Sequence, residues 1–90
     1  MPEFDFVHAH RHSLRHRAEI LRSERCGCFF CQQVFAPAEI REWIDWTGEV
    51  GQTALCPRCG IDAVIGSASG FPITPEFLSG MHGHWFGVDV

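Results

Sequence analysis

The 90-residue chain contains no lysine. Its seven basic side chains are all arginine, the side chain suited to forked contacts with carboxylate or phosphate. No apolar run approaches the roughly 18 residues that a membrane-spanning helix needs, so no membrane partner is expected. The opening stretch, MPEFDFVHAHRHSLRHR, fills with charge where the apolar core of an export signal would sit. Low-complexity tracts are absent. An odd number of cysteines, five, with CxxC spacing and no export signal predicts reduced thiols and a cytoplasmic location.

What is present fits one small globular domain. Hydrophobic residues make up 46 %, with eight Phe and three Trp. A core of this size is marginal unless a metal, disulfides or a partner chain supports it. The net charge of −4 is unevenly spread. Residues 1–25 hold five Arg against four acids, and residues 26–90 hold two Arg against seven acids. An acidic balance disfavours binding to nucleic acid through phosphates, because that mode needs a basic surface. Only the N-terminal segment, with Arg11, Arg15, Arg17, Arg22 and Arg25, offers one.

The dominant motif is Cys28-Phe-Phe-Cys31, then 24 residues, then Cys56-Pro-Arg-Cys59. Two CxxC pairs at this separation predict a tetrahedral four-thiolate metal site. In each pair a tight turn lets both sulfurs reach one ion, and backbone N–H groups in the turn spread the thiolate charge. Gly60 supplies permissive backbone after the second pair, and Pro57 fixes its first bend. The expected ion is Zn2+, one per chain and structural, with iron as the alternative. A redox CxxC would need a thioredoxin-like βαβ setting, which the pattern does not offer.

Apolar periodicity predicts a helix over 11–24, with Leu14, Ala18 and Leu21 as its buried stripe and Phe4, Phe6 and Val7 packing ahead of it. A second helix is expected over APAEIREWIDWTG, with Ile40, Trp43 and Ile44 on one face and Gly48 as its stop. Thr53–Leu55 and Ala63–Ile65 read as arms of a hairpin around the second cysteine pair. A third helix follows from Thr74 as N-cap and Pro75 at the first position, burying Phe77, Leu78, Met81 and Trp85. Trp43, Trp46, Trp85, Phe86, Phe29 and Phe30 are expected in the core, with covering a neighbour or a partner surface as the alternative for Trp46 and Phe86, which lie off the main stripes. The fold class is therefore small α+β. Short zinc-ribbon-like hairpins carry the two CxxC knuckles and pack with about three helices. Residues 1–90 form a single zinc-binding domain. Residues 1–25 make an N-terminal arm and helix, 26–66 a zinc-ribbon core with an inserted helix, and 67–90 a C-terminal loop and helix.

At residues 28–31 and 56–60 the chain resembles the zinc-ribbon and rubredoxin-like class of four-cysteine proteins. CPRCG matches that class's knuckle. CFFCQQ departs from it, with Gln32 where Gly is usual. The order helix, CGCFFC, helix, CPRCG, helix also resembles a group of small uncharacterised bacterial cytoplasmic proteins. That resemblance implies a metal knuckle and no particular activity. His-metal finger nucleases are set aside, since no His stands between His16 and His82.

Two further constellations carry chemistry. On a helix, His12, His16, Glu19 and Ser23 share one stripe, which suits either a solvated polar face or a metal or acid–base site. His82 and His84 are candidates to close over it from elsewhere in the fold, and His8 joins His12 and His16 in a group whose role the sequence leaves open. Cys26, the spare thiol, is expected either buried beside the knuckle or placed as a nucleophile. The favoured function is a protein-interaction or regulatory module stabilised by zinc. The alternatives are a nucleic-acid-binding zinc ribbon using the five N-terminal Arg residues, and a small enzyme using His12, His16 and Glu19 with Cys26.

Overall fold

The computed structural model describes residues 5–87. Phe4, expected to pack, lies outside them. The N-terminal segment ahead of the first cysteine does not form one helix. It makes two short ones, α1 (Phe6–Arg11) and α2 (Arg17–Leu21), broken over 12–16. Asp5 caps α1, its carboxylate accepting the His8 N–H at 3.0 Å. Arg15 has a left-handed backbone, with φ of 47°. That conformation is uncommon for a residue other than glycine, and it ends the helical path.

The break reverses the expected burial. Leu14 and Leu21, placed on the buried stripe, are 46 % and 57 % exposed. The polar stripe faces inward instead: His16 is 5 % exposed and Ser23 8 %, with Ile20 fully buried between them. Hydrogen bonds make this tolerable. The Ser23 hydroxyl donates to the Glu19 carbonyl at 2.8 Å and accepts the Ala68 N–H at 2.9 Å.

Residues 26–66 contain five strands: β1 (Cys26–Cys28), β2 (Val34–Phe35), β3 (Trp43–Thr47), β4 (Val50–Ala54) and β5 (Val64–Gly66). β1 is the centre of an antiparallel sheet in the order β2-β1-β5, pairing Cys26 with Phe35 on one side and with Gly66 on the other. The helix expected over 36–48 is absent. A single 3-10 turn at Pro37–Glu39 comes first, and β3 and β4 then form a separate two-stranded ribbon. The ribbon turns at Gly48-Glu49, between the paired residues Thr47 and Val50. Gly48 has φ of 63° and Glu49 does not share a positive φ, as a II′ hairpin turn requires. Ile40, Trp43 and Ile44 therefore share no helical face. The hairpin expected around the second cysteine pair is also absent, because β4 pairs with β3 while β5 pairs with β1.

The third helix, α3 (Pro75–Phe86), forms as the capping residues predict, with the Thr74 side chain accepting the Phe77 N–H at 3.2 Å. Phe77, Leu78 and Met81 are fully buried and join Phe29, Ile20 and Ile65 in the core. Gly80 has a packing reason: a Cβ there would lie 2.5 Å from the Phe6 ring of α1. Trp85 departs from the expected face. It is 38 % exposed, and its indole N–H donates to the Phe6 carbonyl at 3.1 Å. Phe30, Trp46 and Phe86 are likewise exposed rather than core, while Phe29 is buried and Trp43 half-buried.

Candidate metal centre

The two CxxC segments fold into the same turn. Cys28 accepts, at its carbonyl, the Gln32 N–H at 2.7 Å, and its own N–H donates to the Gln33 carbonyl at 3.0 Å. Cys56 repeats both contacts, accepting from Gly60 at 2.9 Å and donating to the Ile61 carbonyl at 2.9 Å. In each turn the N–H two residues on, from Phe30 or Arg58, donates to the first sulfur at 3.3 Å. The fifth position must be left-handed to complete the turn. Gly60 takes φ of 82° freely. Gln32, where the sequence lacks the usual glycine, takes φ of 65°.

These turns bring four sulfurs together. Cys28, Cys31, Cys56 and Cys59 place their Sγ atoms within 4.8 Å of one another. The Cys28–Cys59 and Cys31–Cys56 pairs are each separated by 3.7 Å. That is far beyond a disulfide bond of about 2.05 Å, and all five cysteines are free thiols. It is close to the edge, about 3.8 Å, of a tetrahedron whose metal–sulfur arms measure about 2.3 Å. The donor set and the spacing fit one soft, tetrahedral metal ion. All four positions are filled by protein, so such an ion would have no open site for water or substrate. Among the described residues, this is the sole cluster of three or more metal-ligating groups.

In the metal-free thiols, burial pushes Cys28 and Cys31 up, with backbone N–H groups opposing it. Burial also pushes against ionisation of Cys56, but the N–H groups of Arg58 and Cys59 and the neighbouring sulfurs outweigh it and lower that thiol.

Cys26 is not in this cluster. It lies in the central strand β1, wholly buried between β2 and β5. Burial pushes its thiol up to about 12. It is a packed core side chain, and a thiol held this way is a poor nucleophile at neutral pH.

The histidines divide among several places. His16 is not available as an acid–base residue, because both its nitrogens are engaged. Nδ1–H donates to the His12 carbonyl, and Nε2 accepts the Ala54 N–H at 3.1 Å. The His16 backbone N–H donates to the Gln52 carbonyl at 2.8 Å. His16 thus straps the break between α1 and α2 onto the outer edge of β4. Burial lowers its pKa, while the hydrogen bond to His12 pulls the other way.

His12 and Glu19 do meet: Nδ1 lies 3.0 and 2.9 Å from the two carboxylate oxygens. His82 sits elsewhere, beside the first knuckle, with Nδ1–H donating to the Phe29 carbonyl at 3.2 Å. His84 packs against Phe6, and His8 against His12 and Phe71. The His groups therefore do not converge on Cys26. Two of the five N-terminal arginines are committed to the ribbon: Arg15 donates to the Thr47 hydroxyl at 2.9 Å, and Arg17 donates to the Gly51 carbonyl at 2.9 Å.

A groove of about 610 Å³ on the β3–β4 ribbon was not anticipated from sequence; Trp43, Trp46, Val50, Leu55, Arg17 and Arg41 are among its lining. The Arg17 guanidinium stacks over the Trp43 ring, 4.5 Å from its centroid. Residues three apart in a regular strand point to opposite faces. Asp45, between the two tryptophans, has φ of 58° and breaks that alternation, so both indoles reach one groove. The available signal was the alternating aromatic and β-branched content of WIDWT–GEV–GQTA around a Gly-X turn.

Comparison with protein-family models, with curated proteins and with solved structures finds no match for this chain.

Proposed function

We propose that this protein is a metal-stabilised module that binds a protein partner through the groove of the β3–β4 ribbon. The observation that carries the reading is Trp46, 62 % exposed on the groove with Val50 beside it at 43 %. Tryptophan and arginine are the side chains that most often dominate binding energy at protein interfaces. Trp43 is already held by Arg17, so part of the surface is ordered before a partner arrives, which lowers the entropy cost of binding. Glu42 and Glu49 complete a mixed polar rim.

The groove adjoins the second knuckle, since Arg41, Glu42 and Leu55 also line the smaller cavity beside Cys56 and Arg58. We take the metal to be zinc, one per chain, with a structural role. It would anchor the start of β5 and the end of β4 and so fix the groove's floor. Five free thiols suit a reducing compartment, the cytoplasm.

The test compares the metal-loaded protein with Trp46→Glu. A partner captured by the first, purified, and then bound directly should lose affinity for the variant by tenfold or more. The reading fails if no partner binds reproducibly, or if Trp46→Glu binds it equally while keeping its metal.

A further inference from the structure

A second concave surface lies between α1, α2 and the outer edge of β4, sharing no lining residue with the ribbon groove. It is a cleft of about 300 Å³ whose lining includes Arg11, His12, Arg15, Glu19, Arg22 and Gln52. That volume is at the lower end of small-ligand sites. Three arginines face one carboxylate in a protein whose net charge is −4. Among the described residues, neither Arg11 nor Arg22 takes part in an ion pair. Among the described residues, then, no ion pair neutralises these two arginines.

Its members are held in place. Glu19 accepts from His12 Nδ1–H with both oxygens, which fixes the ring and leaves Nε2 as its unengaged nitrogen. Arg15 has its uncommon left-handed backbone here. Its N–H donates to the Thr53 hydroxyl at 2.7 Å, and that hydroxyl donates to Asp45 at 2.7 Å.

We propose that this cleft binds a phosphate group. Arg11 and Arg22 would balance a dianion, for which a carboxylate's single charge is a poor match, while the Arg15 guanidinium stays on the Thr47 hydroxyl. His12, its ring held by Glu19, would meet the anion at its unengaged Nε2. His16 takes no part, because its nitrogens are already engaged.

The test uses the metal-loaded full chain and follows the His12 ring by NMR. Inorganic phosphate and O-phosphoserine are titrated in turn, with chloride at matched ionic strength as the control. Saturable binding with a Kd on the order of 1 mM is expected for at least one phosphate probe. Tighter binding of inorganic phosphate assigns the free anion, and tighter binding of phosphoserine assigns the terminal phosphate of an ester; both support the proposal. The double variant Arg11→Gln, Arg22→Gln should keep its metal and weaken binding at least tenfold. No saturable shift, an equal shift with chloride, or undiminished binding by the variant overturns it. So does tighter binding of an oligonucleotide lacking terminal phosphates, which would make the arginines a nucleic-acid surface.

Discussion

Gln32 and Gly60 occupy the same place in two successive turns. Each is left-handed, with φ of 65° and 82°, and each donates its N–H to the carbonyl of the first cysteine of its pair. Only one of them is a glycine. The left-handed conformation costs a side-chain-bearing residue about 1–2 kcal/mol. Gln32→Gly should therefore stabilise the metal-loaded protein by about 0.5–1 kcal/mol, after the greater freedom of glycine in the unfolded chain is allowed for. Gly60→Ala should destabilise it by about 1 kcal/mol, although nothing lies within 4 Å of the added Cβ. Urea denaturation of the two variants checks both signs, and opposite signs are the outcome that matters.

Removing the metal should unfold the domain. Structural zinc in small domains contributes about 10–16 kcal/mol of apparent binding free energy, and most of that is folding free energy. A strong chelator should abolish the near-ultraviolet signal of the tryptophans. Cys31→Ser should lose bound metal, whereas Cys26→Ser should retain one ion per chain. In the loaded protein Cys26 should resist alkylation, because it is buried and its thiol is pushed up to about 12. Fast labelling of Cys26 in the folded state would contradict its place in β1.

His16 gives the domain a pH dependence of known sign. Burial lowers its folded pKa below the ordinary value of 6.5. The unfolded chain therefore binds more protons below that pH, and stability rises with pH in that window. The contribution is complete above about pH 6.5 and is lost as pH falls through the depressed folded value. The metal thiolates also respond to acid, so the comparison is with His16→Gln. The advantage of the natural protein over that variant, measured by denaturation, should shrink between pH 7.5 and pH 5.5. A difference that stays constant or grows would show that His16 is not buried neutral.

Gly66 tests the inward polar stripe. A Cβ there would lie 2.2 Å from the Ser23 hydroxyl oxygen and 3.1 Å from Ile20. Gly66→Ala should cost about 1–3 kcal/mol by overpacking and by displacing the hydroxyl that accepts the Ala68 N–H. A melting temperature unchanged from the parent would mean that α2 is not seated on β5 as described.

These outcomes separate what local chemistry dictates from what assembly dictates. The clustering of the four cysteines was legible because the CxxC turn is a short-range structure: two sulfurs, a left-handed fifth residue and two backbone hydrogen bonds lie within six positions. The start of α3 was legible for the same reason, with Thr74 and Pro75 adjacent. The segment 36–48 was not, because Ile40, Trp43 and Ile44 satisfy a helical period by coincidence. The Gly48-Glu49 turn and the pairing of Trp43 with Ala54 decide it instead. His12 and Glu19 were read together on one stripe, but the helix that was to align them is broken, and they meet across the break.

The sequence by itself determined that four of the five cysteines have the spacing of metal ligands and cluster together, and that the fifth stands outside the cluster. Ligand spacing is a property of the local chain. The tertiary structure alone decided that His16 and Ser23 face inward while Leu14 and Leu21 face water. Burial depends on which neighbour receives a face. Here β4 offers His16 an amide donor at Ala54, and the residues after β5 offer Ser23 one at Ala68. A polar side chain with its hydrogen bonds satisfied can then occupy the inside of a small core that a periodicity argument would have given to leucine.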